Sequence, residues 1–238
     1  MAAKSLSVGI IETGRPPEEL GGAFGDYPQM VQSWLGEIPA SYKVYAVLDG
    51  VLPTNPADAD LWVITGSKFG VYEDHEWIAP LEVFIRECAS VKQPMVGICF
   101  GHQLIAQAMG GLVKKSDKGW GLGVHDYPST EEWPVELGAK PEQISIQAYH
   151  QDQVLTKPET AVTIASSDFC EFAALWYPDF AITVQGHPEF SKPFTSALIE
   201  SRRGTILSDA IADSGQESMA KTVNREQLGL AVKSFMKV

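Results

Sequence analysis

The segment Gly97-Ile98-Cys99-Phe100-Gly101 has the G-x-nucleophile-x-G form in which a reactive side chain is presented at a sharp turn from strand to helix. Such a turn crowds its neighbours, so the flanking positions need residues without side chains. A helix beginning just after Cys99 aims unpaired N–H groups and the positive end of its dipole at the sulfur, which favours thiolate. The N–H of Phe100 is then placed to meet the oxyanion that forms when a carbonyl is attacked. By itself the pentapeptide is also compatible with a buried structural cysteine beside a helix-packing glycine.

A thiol nucleophile needs a base, and one stands far along the chain in AITVQGHPEF. Alternation through residues 181–185 predicts a strand ending near Gly186, with His187 at its carboxyl edge and Glu189 two residues on. Cys99, His187 and Glu189 are therefore the candidate triad of nucleophile, base and orienting acid. His102 adjoins the elbow but points another way around its helix and reads as structural, while His75 and His125 lie in no motif.

The elements that must position these groups are legible as alternating patterns. Short apolar runs at 6–11, 42–48, 61–64 and 94–98 alternate with segments of helical period at 27–35, 77–90 and 101–109. This predicts an α/β fold with a doubly wound, mostly parallel sheet flanked by helices. Cys88 shares an apolar helix face with Leu81, Phe84 and Ile85 and reads as core. From 112 to 184 the pattern changes to short alternating segments broken by Pro and Gly, which predicts extra strands at one side of the sheet. Between the first strand and its helix lies a Gly- and Pro-rich stretch, residues 12–28, too long for an ordinary βα turn and placed where such folds carry ligand-facing loops. The tail, 192–238, reads as helical, with the polar DSGQES at 213–218 as a loop between two helices.

With 238 residues and 45% hydrophobic content, the length suits one large domain. The expected organisation is a single domain over 1–238, with a core at about 5–195 and a helical C-terminal extension at about 192–238. Three cysteines without metal-type spacing argue against a disulfide framework or a zinc site. A formal net charge of -12 disfavours nucleic acid and anionic membranes as partners. The first residues lack the pattern of a signal peptide, and no apolar run approaches the roughly 18 residues of a membrane span. The expected location is cytoplasmic.

GICFGHQ and HPE together resemble the class I, triad-type glutamine amidotransferases, whose nucleophile motif is G-x-C-x-G-x-Q and whose base and acid lie in a later H-x-E. AYHQDQV is similar to the S-H-x-D-x-V segment of the glutaminase domain of GMP synthetase, with Tyr149 in place of the serine. VITGSKFGVYED sits where the family carries a strand and a glycine turn, often S-G-G-P, whose amide is the second oxyanion donor; here the turn is Thr65-Gly66-Ser67-Lys68. Such a Gly-Ser turn followed by an acidic and aromatic stretch is also similar to stand-alone γ-glutamyl peptidases. The resemblance implies a flavodoxin-like glutaminase fold, oxyanion donors at Ser67, Gly66 and Phe100, and a glutamyl pocket lined by Gln103, His150, Asp152 and Tyr149.

It also implies the chemistry: Cys99 attacks the δ-carbonyl of a γ-glutamyl amide, a thioester forms, and glutamate and an amine or ammonia are released. Two functions compete. In the preferred one the chain is a stand-alone γ-glutamyl hydrolase or peptidase acting on a small-molecule substrate. In the other it is a glutaminase subunit that delivers ammonia to a separate synthetase. A catalytically silent binding module ranks below both, because a dead homologue has no chemical need for the complete Cys-His-Glu set. The proposed step needs no metal, nucleotide or organic cofactor.

Overall fold

The computed structural model describes residues 5–238. Its first half contains β1 (Leu6–Glu12), α1 (Glu18–Phe24), α2 (Tyr27–Trp34), β2 (Ala40–Ala46), β3 (Leu61–Ile64), α3 (Ile78–Ser90), β4 (Met95–Ile98) and α4 (Phe100–Ala108). There follow β5 (Leu112–Lys115), β6 (Gly121–Pro128), β7 (Gln143–His150), β8 (Asp152–Thr156), β9 (Val162–Ala165), β10 (Ala174–Tyr177) and β11 (Ala181–Val184). Three helices close the chain: α5 (Lys192–Arg202), α6 (Asp209–Ser218) and α7 (Glu226–Met236).

Among the described residues a seven-stranded sheet runs in the order β2-β1-β3-β4-β11-β10-β9. Its pairings are parallel from β2 across to β11 and antiparallel at β10 and β9, so the fold is the α/β arrangement that the alternating pattern predicts. β3, β4 and β11 are buried at every residue, which is why they read as continuous apolar runs rather than alternating ones. Period-two geometry sends Ile10, Val63 and Val96 to one apolar layer and Ile11, Ile64 and Met95 to the other. α4 and α3 cover the second layer through Leu104, Ile105, Leu81 and Ile85. α2 and α7 cover the first through Val31, Trp34, Leu228 and Val232. Cys88 is fully buried in the second layer, as its helical face implies.

The extra strands divide between two places. β9 and β10 extend the main sheet, while β5–β8 and β6–β7 form separate two-stranded antiparallel sheets. The polar segment 213–218 is helical rather than a loop, and the connection between the last two helices falls after it. Ser208 caps α6 by accepting from the Ile211 N–H at 3.5 Å, and Ala212 and Gly215 form its buried side. A Cβ on Gly215 would stand 3.0 Å from Leu122 Cβ and from Ile199 Cδ1, so this glycine is a packing position rather than a break. The ligand-facing stretch after β1 likewise contains a short helix, α1, resting on α5. Among the described residues no helix is long and apolar enough to cross a membrane.

The connection into α7 is fastened to the second half of the fold. Asn224 exchanges main-chain and side-chain hydrogen bonds with Ser145 and Gln143 of β7, at 2.7–2.9 Å. Arg225 Nη1 donates to the carbonyls of Pro188 and Glu189 at 3.4 and 3.3 Å, and the Arg225 carbonyl accepts from Trp34 Nε1 at 3.2 Å.

Candidate active site

β4 turns directly into α4 at Cys99, whose backbone lies at φ 50° and ψ −100°. A positive φ in a residue that has a side chain is strained, at a cost of about 1–3 kcal/mol, and persists only where its surroundings impose it. They do so here. The Cys99 N–H donates to the Val184 carbonyl at 2.9 Å, and its own carbonyl accepts the Gln103 N–H as the first bond of α4. A Cβ on Gly97 would lie 2.7 Å from the Gly101 carbonyl oxygen, and one on Gly101 would lie 2.5 Å from that of Ile64. The two glycines thus let α4 fold back against β4 and β3, which holds the thiol at the carboxyl edge of the sheet. Phe100, the first residue of α4, presents one of the N–H groups that a helix cannot bond internally.

β11 lies beside β4 in register, with Val184 opposite Ile98, so the residues after β11 emerge at the same edge as Cys99. His187 is pinned by its N–H, which donates to the Gln147 carbonyl of β7 at 2.7 Å. Its ring stacks on Phe190 at 3.9 Å between centroids and 8° between planes. His187 Nδ1 and Glu189 Oε1 are 2.8 Å apart, and the Glu189 side chain is wholly buried. Burial opposes a charge on His187, but the negative charges of Glu189 and of the Cys99 thiolate outweigh it and push its pKa up to about 10. The imidazole is therefore disposed to hold a proton between sulfur and carboxylate.

The turn after β3 lies opposite. Thr13 binds Thr65 through its N–H to Thr65 Oγ1 at 3.0 Å, its Oγ1 to the Thr65 carbonyl at 2.9 Å and a contact between the two hydroxyls at 3.2 Å, which joins the ends of β1 and β3. Ser67 Oγ donates to the Thr13 carbonyl at 2.7 Å and accepts from the Phe69 N–H at 3.2 Å. These side chains hold the turn without the second glycine and proline of the S-G-G-P pattern. A Cβ on Gly66 would fall 2.7 Å from His187 Cε1 and 3.7 Å from Cys99 Cβ, so only a bare backbone fits beside the two.

A cavity of about 1120 Å³ opens over Cys99 and His187 and is also lined by Ser67, Gln103, Tyr149, His150 and Asp152. All the residues singled out for the pocket thus meet in one place, but their roles differ. Gln103 Nε2 is engaged with the Asp152 carbonyl at 2.9 Å and Gln185 Oε1 at 3.2 Å. Burial pushes the His150 imidazole down to about 3, with the charges of His125 and His187 adding, so it faces the cavity neutral. Burial raises the Asp152 carboxyl above its usual range, partly opposed by a hydrogen bond from Tyr72. The Tyr149 ring packs against Trp120 at 5.3 Å between centroids. His102 is fully buried with Nδ1 2.8 Å from Thr183 Oγ1, a structural position as its helix face implies. Sequence reasoning passed over Gln185, whose Nε2 lies 3.7 Å from Cys99 Sγ. Its only signal was its place at the end of the strand that delivers His187. It likewise passed over Arg225, which no motif marks.

The chain matches the family model described as glutamine amidotransferase class-I over residues 54–201, more than half its length. It is similar to a glutamine amidotransferase-like protein of Schizosaccharomyces pombe, at 28% identity over 96% of this chain and 98% of that one. It is similar also to gamma-glutamyl peptidase 3 of Arabidopsis thaliana, at 30% identity over 74% of each chain. The fold is similar to that of a glutamine amidotransferase from Thermotoga maritima, with a TM-score of 0.76 at 18% identity, covering 99% of this chain and 100% of that one.

Proposed function

This chain belongs to the class I glutamine amidotransferase family, and on that premise we propose that it is a stand-alone γ-glutamyl hydrolase working through Cys99, His187 and Glu189. In this reading His187 has taken the thiol proton, and the Cys99 thiolate bonds to the δ-carbonyl carbon of a γ-glutamyl amide. The carbonyl electrons move onto oxygen, where the N–H groups of Phe100 and of the Gly66-Ser67 turn receive them. One such donor is typically worth about 3–4 kcal/mol of barrier. Collapse breaks the C–N bond, and the amine leaves with the proton held by His187. Water, deprotonated by the same imidazole, then cleaves the γ-glutamyl thioester to free glutamate. Glu189 keeps the imidazole in one tautomer and stabilises its charged form.

The observation that carries this reading is the cavity. At about 1120 Å³ it exceeds the ~300–1,000 Å³ typical of drug-sized ligands and leaves room for a leaving group well beyond ammonia. Arg15, Pro16 and Pro17 from the stretch before α1 and Glu18 at its start, together with Phe69 and Tyr72, line it along with Cys99 and His187. That wall is suited to selecting the amine. Gamma-glutamyl peptidase 3 supports the same substrate class by its name.

The test is glutamate release by the purified chain, comparing glutamine with γ-glutamyl peptides and γ-glutamyl amines, with the Cys99→Ala protein as control. Cys99-dependent turnover of a larger γ-glutamyl amide is the expected result. Slow release from glutamine alone would reassign the chain to ammonia supply for a separate synthetase, and activity retained by Cys99→Ala would end the mechanism.

A further inference from the structure

We propose that Gln185 is a catalytic residue whose side-chain amide donates a hydrogen bond to the Cys99 thiolate and fixes the sulfur in line with His187. The proposal rests on Cys99 being the nucleophile. Gln185 immediately follows β11 and is wholly buried. Its main-chain N–H donates to the Ala173 carbonyl at 2.8 Å, so its position at the sheet edge is set by the backbone. Its Nε2 lies 3.7 Å from Cys99 Sγ, a separation suited to the large radius of a sulfur acceptor.

The direction of this bond follows from the chain of groups behind it. The starting point is the Asp152 carbonyl, which can only accept. It therefore obliges Gln103 to present its amide nitrogen, at 2.9 Å. The same nitrogen has a second hydrogen, directed at Gln185 and 3.2 Å from its Oε1. With its oxygen committed there, Gln185 has its NH₂ group turned to the sulfur, and reversing either amide would set like groups against each other. A backbone carbonyl on β8, a strand that lines the substrate cavity through Asp152, thus determines where a proton points at the nucleophile.

A donor at this place acts twice. Before attack it stabilises the negative sulfur and holds its rotamer. In the second step, when the C–S bond of the thioester breaks and its electron pair returns to sulfur, it stabilises the thiolate as leaving group. Titratable groups near enough to feel a charge on Cys99 are His187 after β11, Tyr27 on α2, Tyr127 on β6 and Cys170 before β10, and burial keeps the two tyrosines and Cys170 neutral. None of them is changed by altering Gln185.

The experiment is the rate of Cys99 alkylation by iodoacetamide as a function of pH in the parent, Gln185→Met and Gln103→Met, with Cys99→Ala giving the background from Cys88 and Cys170. Methionine keeps the unbranched shape and removes the donor. The expected result for Gln185→Met is a rise of about one unit in the pH of half-maximal alkylation, together with a roughly tenfold fall in kcat at unchanged KM. Gln103→Met, which frees the Gln185 amide to turn, should shift the midpoint in the same direction by less. A Gln185→Met profile that superimposes on the parent overturns the proposal; should that variant fail to fold, a superimposable Gln103→Met profile does so. Turnover by Cys99→Ala would instead remove the nucleophile itself, which separates that failure from this one.

Discussion

Replacing Glu189 by Gln changes one atom's chemistry at nearly constant volume, and the structure says where the effect must fall. The carboxylate is wholly buried behind His187, with Oε1 2.8 Å from Nδ1, so it is shielded from any substrate in the cavity. Substrate affinity is therefore expected to stay within about twofold of the parent, because ground-state binding gains nothing from this group. In the proposed mechanism the imidazolium that accompanies the thiolate and protonates the leaving amine does gain from it. A hydrogen bond to a charged partner is worth about 1.5–3 kcal/mol, and at about 1.4 kcal/mol per factor of ten this predicts a kcat roughly 10–100-fold lower. Initial rates across substrate concentration, with the γ-glutamyl amide that the parent turns over best, separate the two parameters. A kcat within twofold of the parent, or a loss confined to KM, would refute the reasoning. The same substitution has a signature in stability. The folded pKa of His187 is raised to about 10, so its contribution is fully present below the ordinary histidine value near 6.5 and is lost as pH rises through 10. Urea unfolding of the parent should weaken across that window, and in Glu189→Gln the decline should be smaller.

Two glycines give contrasting expectations. Gly101→Ala places a Cβ 2.5 Å from the Ile64 carbonyl, a backbone atom of β3 that cannot swing aside, and should cost about 1–3 kcal/mol in urea unfolding. An unchanged midpoint would mean that α4 has slack against the sheet. Gly66→Ala meets His187 Cε1 at 2.7 Å instead, and the ring is the part that can yield. Its expected effect is a kcat loss of at least about tenfold with stability within about 1 kcal/mol of the parent, because a displaced general base impairs orientation rather than packing. The reverse pattern, retained kcat and lowered stability, would separate the Gly66 turn from the chemistry.

The strand-to-helix turn at Cys99 and the strand that delivers His187 were legible in the sequence because each is a local pattern with a steric or periodic cause. Gly97 and Gly101 are explained by contacts of 2.7 and 2.5 Å that no other residue permits, and His187 by the end of an apolar strand. What escaped depends on contacts across the chain. Gln103 carries the family motif, yet whether its amide faces a substrate or Gln185 is decided by groups 49 and 82 positions away. Gln185 carries no signal of its own in the sequence, because nothing in its neighbours reveals that Cys99 lies across from it. The 213–218 segment misled for a different reason. Its polar residues and glycine suit a loop by composition, but in a surface helix the outer face is polar, and a glycine is favoured where the inner face meets Leu122.

The fastening of Asn224 and Arg225 also bears on the order in which the protein acquires its reactivity during synthesis. The Cys99 elbow is framed by β3 and β4, made early, and by Val184 of β11, whereas the His187–Glu189 segment receives its last support from residues added just before α7. A growing chain can close the parallel sheet around a thiol while the carbonyls of Pro188 and Glu189 still await Arg225. On the proposed mechanism, competence would then arrive after the sheet has formed, once Arg225 has fastened the segment that carries His187 and Glu189.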